Sequence, residues 1–171
     1  MHFPLHPDTP EDGLALETLF AGRGVDIDAM YQRMKGLMDA EGLAYGQRTH
    51  TYNSRLAQEL GKWADGQPQG EAFHDAMYQA YFVDAKNIAD TAVLIEAAES
   101  VGLSGADAAD VLSSGSFKDA VDADWDKSRQ YGITGVPTFV AGRQGVSGAQ
   151  PYETLERLLV QNNAGRRNGD G

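Results

Sequence analysis

Apolar residues between positions 53 and 131 recur at helical spacing, and this constrains the fold more than any other feature. Leu56, Leu60 and Trp63 lie about a turn apart, and Phe73, Ala76, Met77, Ala80 and Tyr81 fall at i, i+3, i+4, i+7 and i+8. Leu94, Ala97, Ala98 and Val101 repeat the stripe after Asp90, a residue placed to cap a helix start. Such stripes give each helix one apolar side, which must be buried against a neighbour. Ser104 with Asp107 and Ser116 with Asp119 fit the Ser-x-x-Asp start signal, so two further helices are expected to begin there. The segment reads as about five helices.

Earlier in the chain, Ile27, Met30, Tyr31, Met34, Leu37 and Met38 form another stripe, with Asp26 placed to accept a hydrogen bond from the first turn. Its methionines offer soft ligands, but no cysteine assists them, and adaptable core packing is the commoner use of such a face. Gly42 to Tyr52 is polar and turn-rich. Met1 to Pro7, MHFPLHP, reads as a short extended piece whose prolines suit the end of a strand.

The period changes after Tyr131. In GITGVPTFVAG, Gly132 to Gly142, the proline pushes Val136 toward an extended backbone and Thr138 to Ala141 is β-prone. Gly142-Arg-Gln-Gly then turns and Val146 opens a second strand, which makes a hairpin. Pro151 suits the first turn of a last helix carrying Tyr152, Leu155, Leu158 and Leu159 on one side. Residues 164–171 lack an apolar stripe and read as a disordered tail. Strand, helices, hairpin, helix is an α+β order, a small sheet holding a helical insertion.

With 171 residues, 42% of them hydrophobic, the chain can build one sizeable core but not two ordinary domains. A formal net charge of -11 repels polyanions, and no basic and aromatic residues interleave, so nucleic acid is excluded as a partner. No signal-like segment and no run of about 18 apolar residues occurs, which predicts a cytoplasmic protein without a membrane partner. The chain has no cysteine, which excludes thiol catalysis and thiolate metal sites by its own residues. The four histidines, His2, His6, His50 and His74, lack the H-E-x-x-H spacing of a zinc site and read as surface or capping residues, so no metal or cofactor is expected from motifs. Asp122, Asp124 and Asp126 imitate a calcium loop, but Lys127 stands at the tight-turn glycine and Ile133 at the closing glutamate. Gly145-Val-Ser-Gly-Ala149 approaches a nucleophile elbow, yet it ends in alanine and comes after a hairpin.

The Gly135-Val136-Pro137 turn admits two readings, a proline that starts a strand or an extended edge that presents backbone to a ligand. Read together, TYNSRLAQEL (Thr51–Leu60), AYFVDAKNIAD (Ala80–Asp90), YGITGVPTFV (Tyr131–Val140) and GVSGAQP (Gly145–Pro151) resemble the DsbA family, in particular its FrnE-like branch. FPLHPDTPEDG, Phe3 to Gly13, resembles that branch's second strand and the loop beyond it. The resemblance extends to about Val160 and implies a thioredoxin-like fold, with residues 1–52 and 132–163 in the thioredoxin-like part and 53–131 as the helical insertion. It also implies the activity of a protein disulfide oxidoreductase. Relatives bind glutathione or isomerise aromatic carboxylates such as 2-hydroxychromene-2-carboxylate, so two alternatives stand beside it: a module binding glutathione or a thiol-containing peptide, and an isomerase-like protein acting on an aromatic or polyketide carboxylate.

In redox members of that family, a strand and a C-x-x-C motif precede the segment that starts here at Met1. The sheet is therefore expected to be incomplete and the chain itself redox-inactive. By resemblance, Val136 offers its backbone to a thiol-bearing peptide or glutathione, and Pro137 comes after a cis bond. Asn53 and Gln150 are candidates for ligand contact or for ordinary capping. With the central strand absent, the edges Phe3–His6 and Thr138–Ala141 are unpaired, which predicts a homodimer.

Overall fold

Helix starts in the computed structural model, which describes residues 1–165, obey local hydrogen-bonding chemistry. A two-residue strand β1 (Leu14–Ala15) leads into the short helix α1 (Leu16–Leu19). Asp26 Oδ1 accepts from Ala29 N at 2.9 Å and opens α2 (Ile27–Ala40). Strand β2 (His50–Thr51) pairs antiparallel with β1, Leu14 opposite Thr51 and Ala15 opposite His50. The helical part then runs through α3 (Arg55–Ala64) and α4 (Gly70–Tyr78), which continues as a π-helical turn, Gln79–Val83. Asp90 caps α5 (Thr91–Ser100) through Ala92 N, and Ser104 caps α6 (Gly105–Ser114) through Asp107 N. Helix α7 (Lys118–Gln130) starts differently from the sequence expectation. Phe117 is its N-cap, with no side-chain cap, so Ser116 does not serve as the predicted starter.

The core sits among α3 to α6. Leu60, Phe73 and Leu94 are fully buried there, packed with Ala64, Ala98 and Ala108. The stripe positions thus face one another, as apolar sides of successive helices must. Arg55 ties α3 to α7. Its Nε donates to Glu59 Oε1 at 2.5 Å, Nη1 to Asp122 Oδ1 at 2.6 Å and Nη2 to the Lys118 carbonyl at 2.9 Å, while the guanidinium lies 4.7 Å from the Trp125 ring centroid. Trp125 Nε1 in turn donates to Gln58 Oε1 at 2.7 Å.

Phe3 to His6 is not a strand, contrary to the sequence reading. Leu5 N donates to the Phe3 carbonyl only two residues back, and His6 takes a positive φ of 50°, so the segment turns on itself. Pro4 and Pro7 lack the N–H that a ladder needs. The segment instead lies on the helices: Gln58 Nε2 donates to the Phe3 carbonyl at 3.1 Å and His2 N to Asp124 Oδ2 at 2.8 Å. One of the two edges behind the dimer expectation is therefore absent.

The α2 stripe also departs from expectation, since no residue of α2 is buried. After α7, β3 (Thr138–Ala141) and β4 (Gln144–Ser147) form the predicted hairpin, Thr138 opposite Ser147 and Ala141 opposite Gln144. Helix α8 (Tyr152–Gln161) packs on both strands, with Leu158 buried. Ala164 N donates to the Leu159 carbonyl and closes the turn after α8, while residues 166–171 of the predicted tail lie outside the described residues. Among the described residues the sheets are two antiparallel pairs, β1–β2 and β3–β4, within a mostly helical molecule.

Candidate functional site: the loop from 132 to 138

The loop is launched from the end of α7. Gly132, at φ 65°, donates its N–H to the Arg129 carbonyl, and Ile133 N donates to the carbonyl of the fully buried Ser128. A left-handed glycine at a helix end satisfies the last carbonyls and turns the chain away. The backbone then passes Gly135 and Val136 and enters β3 through a cis Val136–Pro137 bond.

The backbone on either side of Val136 is held in place. Thr138 Oγ1 donates to the Gly135 carbonyl at 2.6 Å and lies 3.1 Å from Ser147 Oγ, while Gly148 N donates to the Pro137 carbonyl at 2.8 Å. Val136 itself is left out of this net. Its N–H and C=O make no hydrogen bond among the described residues, and the residue is 51% exposed. A residue at a strand entrance with both backbone groups free can pair with an extended chain.

Gln150 belongs to the same corner, but as a brace. Its Nε2 donates to the Ser147 carbonyl at 2.6 Å, which steadies the exit of β4. Helix α8 begins next to it with Pro151 at the N-cap, and Glu153 in the first turn opposes an anion at that helix start. Asn53 lies in another neighbourhood. Its Nδ2 donates to the carbonyls of Pro7 and Thr9, at 3.1 and 2.9 Å, and its Oδ1 accepts from Arg55 N at 2.9 Å. The whole amide is engaged in clamping the 7–9 segment to the start of α3. The structure thus brings Val136, Pro137 and Gln150 into one corner and engages the Asn53 amide with Pro7, Thr9 and Arg55 in another.

Sequence reasoning missed Arg143. A cavity of about 230 Å³ runs beside the hairpin, lined by Ile133, Thr134, Thr138, Val140 and Ser147, and Arg143 is the charged residue that lines it among the described residues. Arg143 forms no ion pair among the described residues. Its place in the turn Gly142-Arg143 was the only sequence signal.

Perturbed charges lie elsewhere, where α3 and α7 meet. Burial and then the Lys62 cation lower the His2 imidazole from 6.5 to about 4. Asp122 is held below the usual carboxylate range by its hydrogen bond from Arg55. For Asp124, burial opposes ionisation, but the hydrogen bond from Lys62 and the His2 N–H prevail and lower it. Among the described residues no group of three or more histidine, cysteine or acidic side chains is placed to hold a metal, and no helix is long and apolar enough to cross a membrane.

A family model described as a DsbA-like thioredoxin domain matches residues 1–160. The chain belongs to the DsbA-like thioredoxin family. This DsbA-like domain is similar to a crystal structure from Streptomyces coelicolor described as a "probable DsbA oxidoreductase". The TM-score is 0.82 and the identity 32%, over 96% of this chain and 74% of that one. It is also similar to an uncharacterized protein of Bacillus subtilis, YwbO, 31% identical over 111 residues that span 64% of this chain and 55% of YwbO. A 2-hydroxychromene-2-carboxylate isomerase shares the fold at a TM-score of 0.68 and 19% identity, over 80% of this chain and 69% of that one. In the DsbA-like family, the cysteine-free composition leaves this chain without a thiol of its own.

Proposed function

We propose that this DsbA-like domain provides the docking edge for an extended thiol-bearing peptide, glutathione included, in a protein of the disulfide oxidoreductase class, and that residues 1–171 alone perform no thiol exchange. The observation that carries this reading is the free backbone of Val136 on a loop whose neighbours are fixed by Thr138, Ser147 and Gly148. A ligand strand that bonds both groups of Val136 is bound by main-chain contacts, without dependence on its side chains. Arg143, in the turn between β3 and β4 and without an ion pair among the described residues, offers a cation to a ligand carboxylate that extends along the hairpin from Val136. Exchange itself needs an attacking thiolate, and the chain contains none. The likeness to the Streptomyces structure supports the disulfide class.

The test is calorimetric titration of reduced glutathione and of a short thiol peptide into the parent chain and into Val136→Pro, which removes the N–H without adding charge. The reading predicts saturable binding to the parent and a loss of about tenfold in the variant, the worth of a hydrogen bond of about 1.4 kcal/mol. Equal affinity of parent and variant overturns it. Insulin reduction by the chain should not exceed a protein-free control, and catalysis would contradict the second half of the proposal.

A further inference from the structure

Helix α2 has an apolar stripe of which no residue is fully buried: Ile27, Met30, Tyr31 and Met38 are half-buried, and Met34 and Leu37 are exposed. Met34 and Met38 of that stripe line an open cavity of about 620 Å³ with Leu43, Tyr45, Tyr78 and Phe82. Its size lies within the usual range of about 300 to 1,000 Å³ for small-molecule sites. The aromatic wall is ordered. Tyr31 stacks on Tyr45 with centroids 5.9 Å apart and planes at 21°, Tyr45 on Phe82 at 6.4 Å and 24°, and Tyr78 on Phe82 at 6.0 Å and 22°. Phe82 is delivered by the π-helical turn, a distortion frequent at functional sites. Unbranched thioethers on the opposite side adapt to flat ligands.

Among the described residues, one charged group, Asp75, lines the cavity. Asp75 makes no side-chain hydrogen bond or ion pair among the described residues, although it stands one helical turn from Tyr78 and Gln79. The aromatic cluster already holds a cation, since the Arg48 guanidinium lies 4.4 Å from the Tyr81 centroid and 5.2 Å from that of Phe82. Ring faces attract cations through their quadrupoles, and the net charge of -11 adds a long-range pull of the same sign.

We propose that this cavity binds an amphiphilic aromatic cation, its ring held between the methionines and the Tyr45, Tyr78 and Phe82 rings and its ammonium paired with Asp75. The site is independent of the Val136 loop. Three probes of one shape and different charge test it on the full chain: 2-naphthylmethylamine, 2-naphthylmethanol and 2-naphthoate, monitored by calorimetry and by amide chemical shifts. The amine should saturate and bind at least tenfold more tightly than the alcohol, with the carboxylate weakest, and the shifts should map to α2, α4 and the π turn. Asp75→Asn should bring the amine to the affinity of the alcohol and leave the alcohol unchanged. Tyr78→Ala, at an exposed position, should weaken both at least fivefold while circular dichroism stays that of the parent. Binding of the carboxylate as tight as the amine, an unchanged amine affinity in Asp75→Asn, no saturation by the amine, or light scattering that shows the cavity closed by a second copy would each overturn the proposal.

Discussion

Arg55 shows how much of the helical architecture rests on single residues. Its partner Glu59 is buried, with a side chain only 6% exposed, and the guanidinium compensates its carboxylate. Arg55→Ala should cost about 3 kcal/mol in urea unfolding, because removal of one partner leaves a buried charge uncompensated. His2 gives a pH signature of its own. Its folded pKa of about 4 lies below its ordinary 6.5, so between these values the unfolded chain binds a proton that the folded chain refuses. Stability should therefore fall as the pH drops from about 6.5 to 4, with no change from this group above that window, and His2→Gln should flatten the slope of the urea midpoint there. The lowered carboxylates of Asp122 and Asp124 lose their contribution only at lower pH, which separates the two effects. At this scale the Val136-Pro137 turn was legible as a candidate, since proline restricts the residue before it. Asn53 was not, because a cap and a ligand contact use the same amide, and its bonds to the Pro7 and Thr9 carbonyls across 46 and 44 residues leave no trace in the sequence.

Elements were readable where an apolar period or a cap announced them. Asp26, Asp90 and Ser104 begin helices as their side chains predicted. Ser116 has the same spacing to an aspartate, yet α7 starts without it, which shows that the pattern permits a cap without enforcing one. β1 and β2 are two residues each, too short for any alternation to be seen. The α2 stripe was correct as a helix and wrong as core, since periodicity reports a face and not what covers it. Gly46 explains how the segment before β2 reaches the π turn. Its N–H donates to the Phe82 carbonyl at 2.8 Å, and a Cβ there would collide with the Val83 carbonyl oxygen. Gly46→Ala should thus force the two backbones apart at a cost of about 3 kcal/mol, measured by thermal or urea unfolding, and a variant as stable as the parent would refute this close approach.

For the molecule as a whole, burial is divided unequally. The helical part buries Leu60, Ala64, Phe73, Leu94 and Val121 completely, whereas from residue 132 onward Leu158 is the one buried apolar side chain among the described residues. Local opening should track that difference, since segments with few buried apolar contacts open at lower free energy. Hydrogen exchange by mass spectrometry should find β3, β4 and α8 exchanging well before α3 to α5; uniform protection would contradict the division. The sheet was the least legible part of the fold. Phe3 to His6 turns instead of pairing, so the open side of β3 is the remaining edge on which the homodimer expectation stands. That edge adjoins Val136, and the central claim is that an extended ligand pairs there. The most direct measurement is amide exchange of Val136 by NMR, with and without saturating thiol peptide. The free backbone predicts rapid exchange in the unliganded chain and protection of at least about fivefold on binding, as one net hydrogen bond of roughly 1 kcal/mol gives. Bound peptide with no change in the exchange or shift of Val136 would contradict the account.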